Sequence, residues 1–207
     1  MITQTKETQA AMTPDAALTM LKEGNERFLG NNKENRDLLS QVQQTGTEGQ
    51  APHTVVVSCI DSRVPVETIF DQGIGDIFSA RIAGNFVNED ILGSMEFACK
   101  LAGTKLIVIL GHTKCGAVKG ACDDAKLGNL TGMLSKIMPA VEAVKTPTEN
   151  RNSSNAEFVQ NVVDKNVDLT MDNVRKMSPV LNEMLENGDI KMVGAIYDVE
   201  TGKVDFK

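Results

Sequence analysis

Near the start of the chain, apolar residues recur at helical spacing. Over residues 13–29, Ala17, Leu18, Leu21 and Phe28 fall close to one face of a 3.6-residue period. Thr13 suits the cap of this helix, Pro14 its first turn, and Gly30-Asn31-Asn32 its end. Residues 37–50 read as a second, weaker helix running into a loop. The pattern then changes. Residues 54–59 (TVVVSC) form a β-branched run of the kind buried on both faces of a sheet. Residues 77–82 (IFSARI), 105–110 (KLIVIL) and 191–197 (KMVGAIY) repeat the signal. Helical patterns over 64–71, 88–101, 126–144 and 156–176 separate these strands. Alternating strands and helices predict an α/β fold, with a mostly parallel sheet and helices on its faces. The clearest loop is 145–155 (KTPTENRNSSN), but the last strand lies beyond it, so it marks no domain boundary.

Composition narrows the class. With 41% hydrophobic and 24% charged residues, the 207-residue chain has the makeup of a folded globular protein, which sets disorder aside. The net charge is −7 and no Lys/Arg cluster stands out, so nucleic acid is not an expected partner. No apolar run approaches a membrane span, and residues 1–12 are polar, without the apolar core of a signal peptide. The expected setting is cytoplasmic. Four cysteines, Cys59, Cys99, Cys115 and Cys122, are too sparse for a disulfide scaffold; reduced thiols, some of them metal ligands, fit better.

Two segments carry candidate chemistry. Cys59-Ile60-Asp61-Ser62-Arg63 closes the first strand, and Gly111-His112-Thr113-Lys114-Cys115-Gly116 follows the third. Ligands in such sheets bind beyond the carboxyl ends of the strands. Cys59, His112 and Cys115 make a donor set suited to zinc, and three protein ligands leave a fourth position for water. A lone Cys at a strand end is usually a small buried hydrophobe, and a lone H-x-x-C is a weak signal; joint placement at two strand ends is what counts. Gly111-x-x-x-x-Gly116 begins like a phosphate loop, but Ala117 and Val118 stand where Lys and Ser/Thr belong. The pair Gly73-x-Gly75 lacks a third glycine in register.

C-x-D-S-R followed by G-H-x-x-C-G resembles the β-class carbonic anhydrase family. The likeness runs from Gly49 to the end, and AALTMLKEGNERF (16–28) is similar to the family's amino-terminal arm. The resemblance implies a single domain over 1–207, with an arm of about residues 1–48 and a zinc-binding core over 49–207. It implies zinc on Cys59, His112 and Cys115, four parallel strands plus an antiparallel edge, and a homodimer, or a tetramer built from dimers. Leu18, Leu21 and Phe28 on the arm are expected to pack on the partner. Gln50 matches a glutamine that reaches across the dimer to the substrate pocket. Phe78, Ala83 and Phe97 match apolar pocket positions, and Gly116 one where the backbone approaches closely. Asp61 and Arg63 match a catalytic dyad.

In that reading, zinc acidifies a bound water to near neutrality, a property for which carbonic anhydrases are themselves the standard example. The resulting hydroxide attacks carbon dioxide, giving bicarbonate and a proton. Arg63 keeps Asp61 ionised, so that its carboxylate only accepts hydrogen bonds. His53 is a candidate proton relay, though a solvated loop histidine is the plainer reading. In a subgroup of the family Asp takes the water's place on zinc, and part of it is inhibited by bicarbonate in a Trp-Arg-Tyr pocket. Here Arg81 and Tyr197 stand at two of those positions and Val56 at the third, so an open site with Asp61 paired to Arg63 is expected. The alternatives are a carbon disulfide or carbonyl sulfide hydrolase on the same fold, or a zinc-binding homologue without catalysis.

Overall fold

The computed structural model describes residues 3–207. Five strands, β1 (Thr54–Ser58), β2 (Ile77–Arg81), β3 (Leu106–His112), β4 (Lys191–Tyr197) and β5 (Val204–Phe206), form one sheet in the order β2-β1-β3-β4-β5. The first four are parallel and β5 pairs antiparallel to β4, as the resemblance implied. Around them lie α1 (Lys6–Ala11), α2 (Pro14–Leu29), α3 (Leu38–Glu48), α4 (Val66–Ile69), α5 (Glu89–Glu96), α6 (Gly116–Cys122), α7 (Gly128–Leu134), α8 (Met138–Ala143), α9 (Ala156–Met177) and α10 (Pro179–Glu186). A π-helical turn, Phe97–Leu101, extends α5. None of these helices is long and apolar enough to cross a membrane.

Every residue of β1 and β3 is buried, which explains their unbroken apolar sequences. Alternate side chains then build two cores. Val56, Leu106, Val108 and Leu110 meet Ala17 and Leu21 of α2 and the α4 residues on one face. Val55, Val57, Ile107 and Ile109 meet residues of α5, α9 and α10 on the other. Thr13 caps α2 as its sequence requires, its hydroxyl accepting from the Ala16 amide at 3.1 Å.

The arm differs from expectation in one respect. Leu21 is fully buried and Leu18 partly buried against the chain's own sheet, so they need no second chain to cover them. The apolar side chains left open on the arm are Leu29 at the end of α2, 44% exposed, and on α3 Leu38, Leu39 and Val42, 52%, 67% and 49% exposed. A buried Asp71 ties the link between α2 and α3 to the core, accepting from Arg27 Nε and Arg36 Nη1, each at 2.6 Å.

The two sheet edges differ. On β5, Lys203, Asp205 and Lys207 flank or interrupt the apolar positions, and Lys207 Nζ also bonds Asp168 at 2.8 Å. On β2, Ile77, Phe78, Ser79 and Ala80 carry no charge.

His53 is a loop residue but not a solvated one, and it lies away from the Cys59 end of β1. It is fully buried just before β1, at the amino-terminal end of the sheet. Its amide donates to Asp76 O, and its carbonyl accepts from Lys105 N and Leu106 N, stitching the starts of three strands. Gln72 Oε1 lies 3.0 Å from Nε2 and can only accept, so Nε2 carries the proton and Nδ1 accepts from the Thr54 hydroxyl at 2.7 Å. Burial pushes the imidazole pKa down, outweighing the Gln72 bond and the Asp76 charge, which push it up. The unfolded chain therefore takes up this proton more readily than the folded one. Stability should fall as pH drops below the ordinary histidine value of about 6.5, by at most about 1.4 kcal/mol per pH unit, and level off below the folded pKa. Urea unfolding of the zinc-loaded protein between about pH 5 and 8 checks this; His53→Gln should flatten the slope relative to wild type.

Candidate metal centre

The carboxyl ends of β1 and β3 converge where the chain order of the sheet switches direction. Parallel pairing sets Ser58 beside Leu110, so Cys59 leaves β1 next to the end of β3, where His112 is the last strand residue. Cys115 follows as the N-cap of α6, after a turn in which Lys114 takes φ +58°. Cys59, His112 and Cys115 are all buried, and their ligand atoms lie within 4.8 Å of one another.

The donors fit a zinc ion. The Cys59 and Cys115 sulfurs are 3.9 Å apart. Two thiolates on a tetrahedral zinc, each at about 2.3 Å, sit about 3.8 Å apart. His112 Nδ1 lies 2.9 Å from the Thr113 carbonyl, which can only accept, so the ring proton is on Nδ1 and Nε2 presents a lone pair. That Nε2 is buried and has no hydrogen-bond partner among the described residues. It faces Asp61 Oδ2 at 3.9 Å. A buried lone pair turned toward two sulfurs and a carboxylate is an arrangement that a cation resolves.

The hydrogen bond between the sulfurs pulls the Cys59 thiol below its ordinary value and pushes Cys115 above it. Backbone amides also face these sulfurs. Gly84 N lies 3.4 Å from Cys59 Sγ and the Asp61 amide points the same way, while the amides of Ala117 and Val118 serve Cys115. Gly84 has φ +84°, and a Cβ there would meet Ile137 at 2.4 Å, so position 84 requires glycine. The other two thiols are unsuited to metal. Burial raises Cys99 to about 12 and Cys122 to about 11, and neither belongs to the cluster.

Asp61 and Arg63 form a bidentate pair. Arg63 Nε donates to Oδ1 at 2.9 Å, Nη2 to Oδ2 at 2.7 Å, and the Arg63 amide to Oδ1 at 3.0 Å. These bonds, Arg63's side chain first, hold the carboxyl well below the usual carboxylate range. Arg81, singled out with Tyr197 for an inhibitory pocket, donates instead to the carbonyls of Cys59 and Asp61. Val56, at the pocket's third position, is fully buried in the core.

The pocket residues divide into two groups. Ala83 sits between Ile82, bonded to Ser58 O, and Gly84, and is therefore beside the cluster. At Gly116 a Cβ would meet nothing within 4 Å, so open space adjoins Cys115. Phe78 and Phe97 lie elsewhere. Phe78 is in register with Val55, four residues before Cys59, or about 13 Å back along the strand. It stacks edge-on with Phe97 at 6.2 Å, in a groove of about 700 Å³ along β2 and α5. Gln50, exposed ahead of β1, is farther still. Within one chain these three do not meet Cys59.

Comparison with known proteins points one way. The profile of the family described as Carbonic anhydrase matches residues 54–204. Carbonic anhydrase 2 of Mycobacterium tuberculosis is 34% identical over 195 residues, covering 92% of this chain and 91% of that protein. A carbonic anhydrase of Pseudomonas aeruginosa is 30% identical, covering 80% and 78%. The solved β-carbonic anhydrase CafA of Aspergillus fumigatus is 28% identical and superposes with a TM-score of 0.72, covering 93% of this chain and 89% of that one.

Proposed function

Because this chain belongs to the carbonic anhydrase family, in its β class, we propose that it hydrates carbon dioxide reversibly with zinc held by Cys59, His112 and Cys115. The observation that carries the reading is the buried ligand cluster with the Asp61–Arg63 pair facing it. A purely structural zinc has no use for an ionised carboxylate at its fourth side.

When bound, zinc supplies a Lewis acid and acidifies a water toward neutrality. The chain's own groups do the rest. Asp61, ionised by Arg63, accepts a hydrogen bond at Oδ2, the oxygen nearest His112 Nε2, and so directs a lone pair of the nucleophile toward the carbon. Ala83 and the side-chain-free Gly116 leave a small apolar space suited to a small apolar substrate. His112 is committed to metal, and His53 is buried at the other end of the sheet. Protons therefore leave to solution buffer.

The active unit is a homodimer, or a tetramer of such pairs. Gln50, Phe78 and Phe97 serve the pocket of a second copy, which brings them against that copy's Ala83 and Gly116. The distance along β1, the open groove on β2 and the exposed apolar side chains of α3 support this assignment. The four free cysteines suit the reducing cytoplasm.

Stopped-flow measurement of carbon dioxide hydration beside sulfide release from carbonyl sulfide and carbon disulfide tests the activity. Hydration should dominate; sulfide release as the faster reaction would overturn the substrate. The composite pocket has its own check. Gln50→Ala and Cys115→Ser chains, each nearly inactive, should regain activity when co-refolded, because a mixed pair holds one intact site. No recovery in a pair shown to be mixed would refute the shared pocket.

A further inference from the structure

Arg81 ends β2 in register with Ser58, the last residue of β1. Beyond this point β1 and β2 are no longer paired, and Ile60 in the departing segment is 61% exposed. The Arg81 side chain follows that segment. Its Nε donates to Cys59 O at 2.9 Å and its Nη2 to Asp61 O at 2.7 Å. The same two residues bear the sulfur at the metal cluster and the carboxylate opposite it, and the Asp61 amide turns back to the Cys59 sulfur.

A guanidinium is a rigid planar fork, so bridging two carbonyls fixes their relative position as well as satisfying them. Satisfaction alone does not account for the contact. Asp61 O already accepts from the Val64 amide at 3.0 Å, and this bond from Arg81 is exposed, where water serves equally well as a partner. What water does not supply is a fixed distance between the two peptide groups.

We propose that Arg81 is a positioning residue for the metal centre: by gripping the main chain at Cys59 and Asp61, it aims the thiolate and the carboxylate at one point. It touches neither the substrate nor the reacting atoms. The inference rests on Cys59 being a metal ligand.

Zinc affinity of wild type, Arg81→Ala and Arg81→Lys, measured by competition with a chromogenic chelator, tests it together with kcat, KM and thermal midpoint. Arg81→Ala should bind zinc about 10- to 100-fold more weakly, the usual cost of removing a group that orients a ligand. Its kcat should fall with KM nearly unchanged, and its midpoint should fall by no more than the weaker zinc binding accounts for. Arg81→Lys, which reaches one carbonyl at a time, should lie between. Methylguanidinium in solution should restore part of the kcat of Arg81→Ala. Wild-type zinc affinity and kcat in Arg81→Ala would overturn the proposal, as would a midpoint lowered by more than the lost zinc affinity explains. A wild-type chain that holds no zinc would instead overturn the ligand assignment, and this inference with it.

Discussion

Cys115→Ser will purify with little or no zinc and without measurable hydration activity, whereas the wild-type chain will hold about one zinc per chain. The serine hydroxyl is a hard, weakly acidic donor that does not ionise as a thiol does, so one corner of the donor set disappears. His112 Nε2 and the Cys59 sulfur alone do not compensate, because each is already placed for one bond. The loss of activity should be about 1,000-fold or more, since acidification of water is lost with the ion. Cys99→Ser and Cys122→Ser are the controls. Both thiols are buried and held protonated, so serine there costs some stability and leaves zinc content unchanged. Elemental analysis of the three purified variants decides. Full zinc in Cys115→Ser, or loss in Cys99→Ser, contradicts the assignment.

Asp61→Asn should keep its zinc and lose about 100- to 1,000-fold in kcat/KM, the range found when a group aligned on the reacting atoms is neutralised. The carboxylate offers only acceptors, and Arg63 uses one side of each oxygen. An amide offers one acceptor and one donor. The Arg63 fork claims the acceptor, which leaves an N–H facing the site in place of a lone pair. Arg63→Ala should be milder, about tenfold, because Asp61 remains an anion but loses its fixed orientation. Zinc analysis alongside the kinetics separates this effect from metal loss. Activity of Asp61→Asn within a factor of two of wild type would remove Asp61 from the mechanism.

Much of the architecture was legible because it rests on local chemistry. The β-branched run before Cys59 and the apolar run before Gly111 are strands buried on both faces, and β4 matches its expected limits. Thr13, Pro14 and Gly30 mark the ends of α2 as their types suggest. What local pattern hides is context. The helical stretch over 126–144 breaks into α7 and α8 around Ile137, which the core takes up fully buried. Helix α1 is too polar to announce itself; its Gln9 is buried by bonding the carbonyls of Pro52 and Ala102. Helix α10 starts at Pro179, only Ser178 separating it from the end of α9, so its pattern merges with that of the preceding helix. His53 shows the same limit, since nothing around it in the chain foretells Gln72 as its partner.

At the site, the meeting of Cys59, His112 and Cys115 was legible because strand ends in a parallel sheet share one side. The supporting groups were not. Gly84 lies outside both motifs, and only its positive φ and the Ile137 contact reveal why it stands beside the Cys59 sulfur. Arg81 drew attention for an anion pocket, yet it holds main-chain carbonyls. Phe78 and Phe97 looked like neighbours of the metal until strand register placed them farther back.

The unequal edges of the sheet bear on how copies of this chain assemble. The uncharged run 77–80 of β2 leaves that edge open to a second strand, whereas the charge on and beside β5 discourages one. A sheet open on one side only can be extended once. Two copies meeting at their β2 edges do so about a two-fold axis, using the same surface twice, and both ends of the joined sheet then present β5. Growth by this route would close at a pair, where two open edges would permit an unlimited ribbon. If two copies join in this way, larger assemblies would use helical surfaces, and the number of subunits could change without disturbing that join.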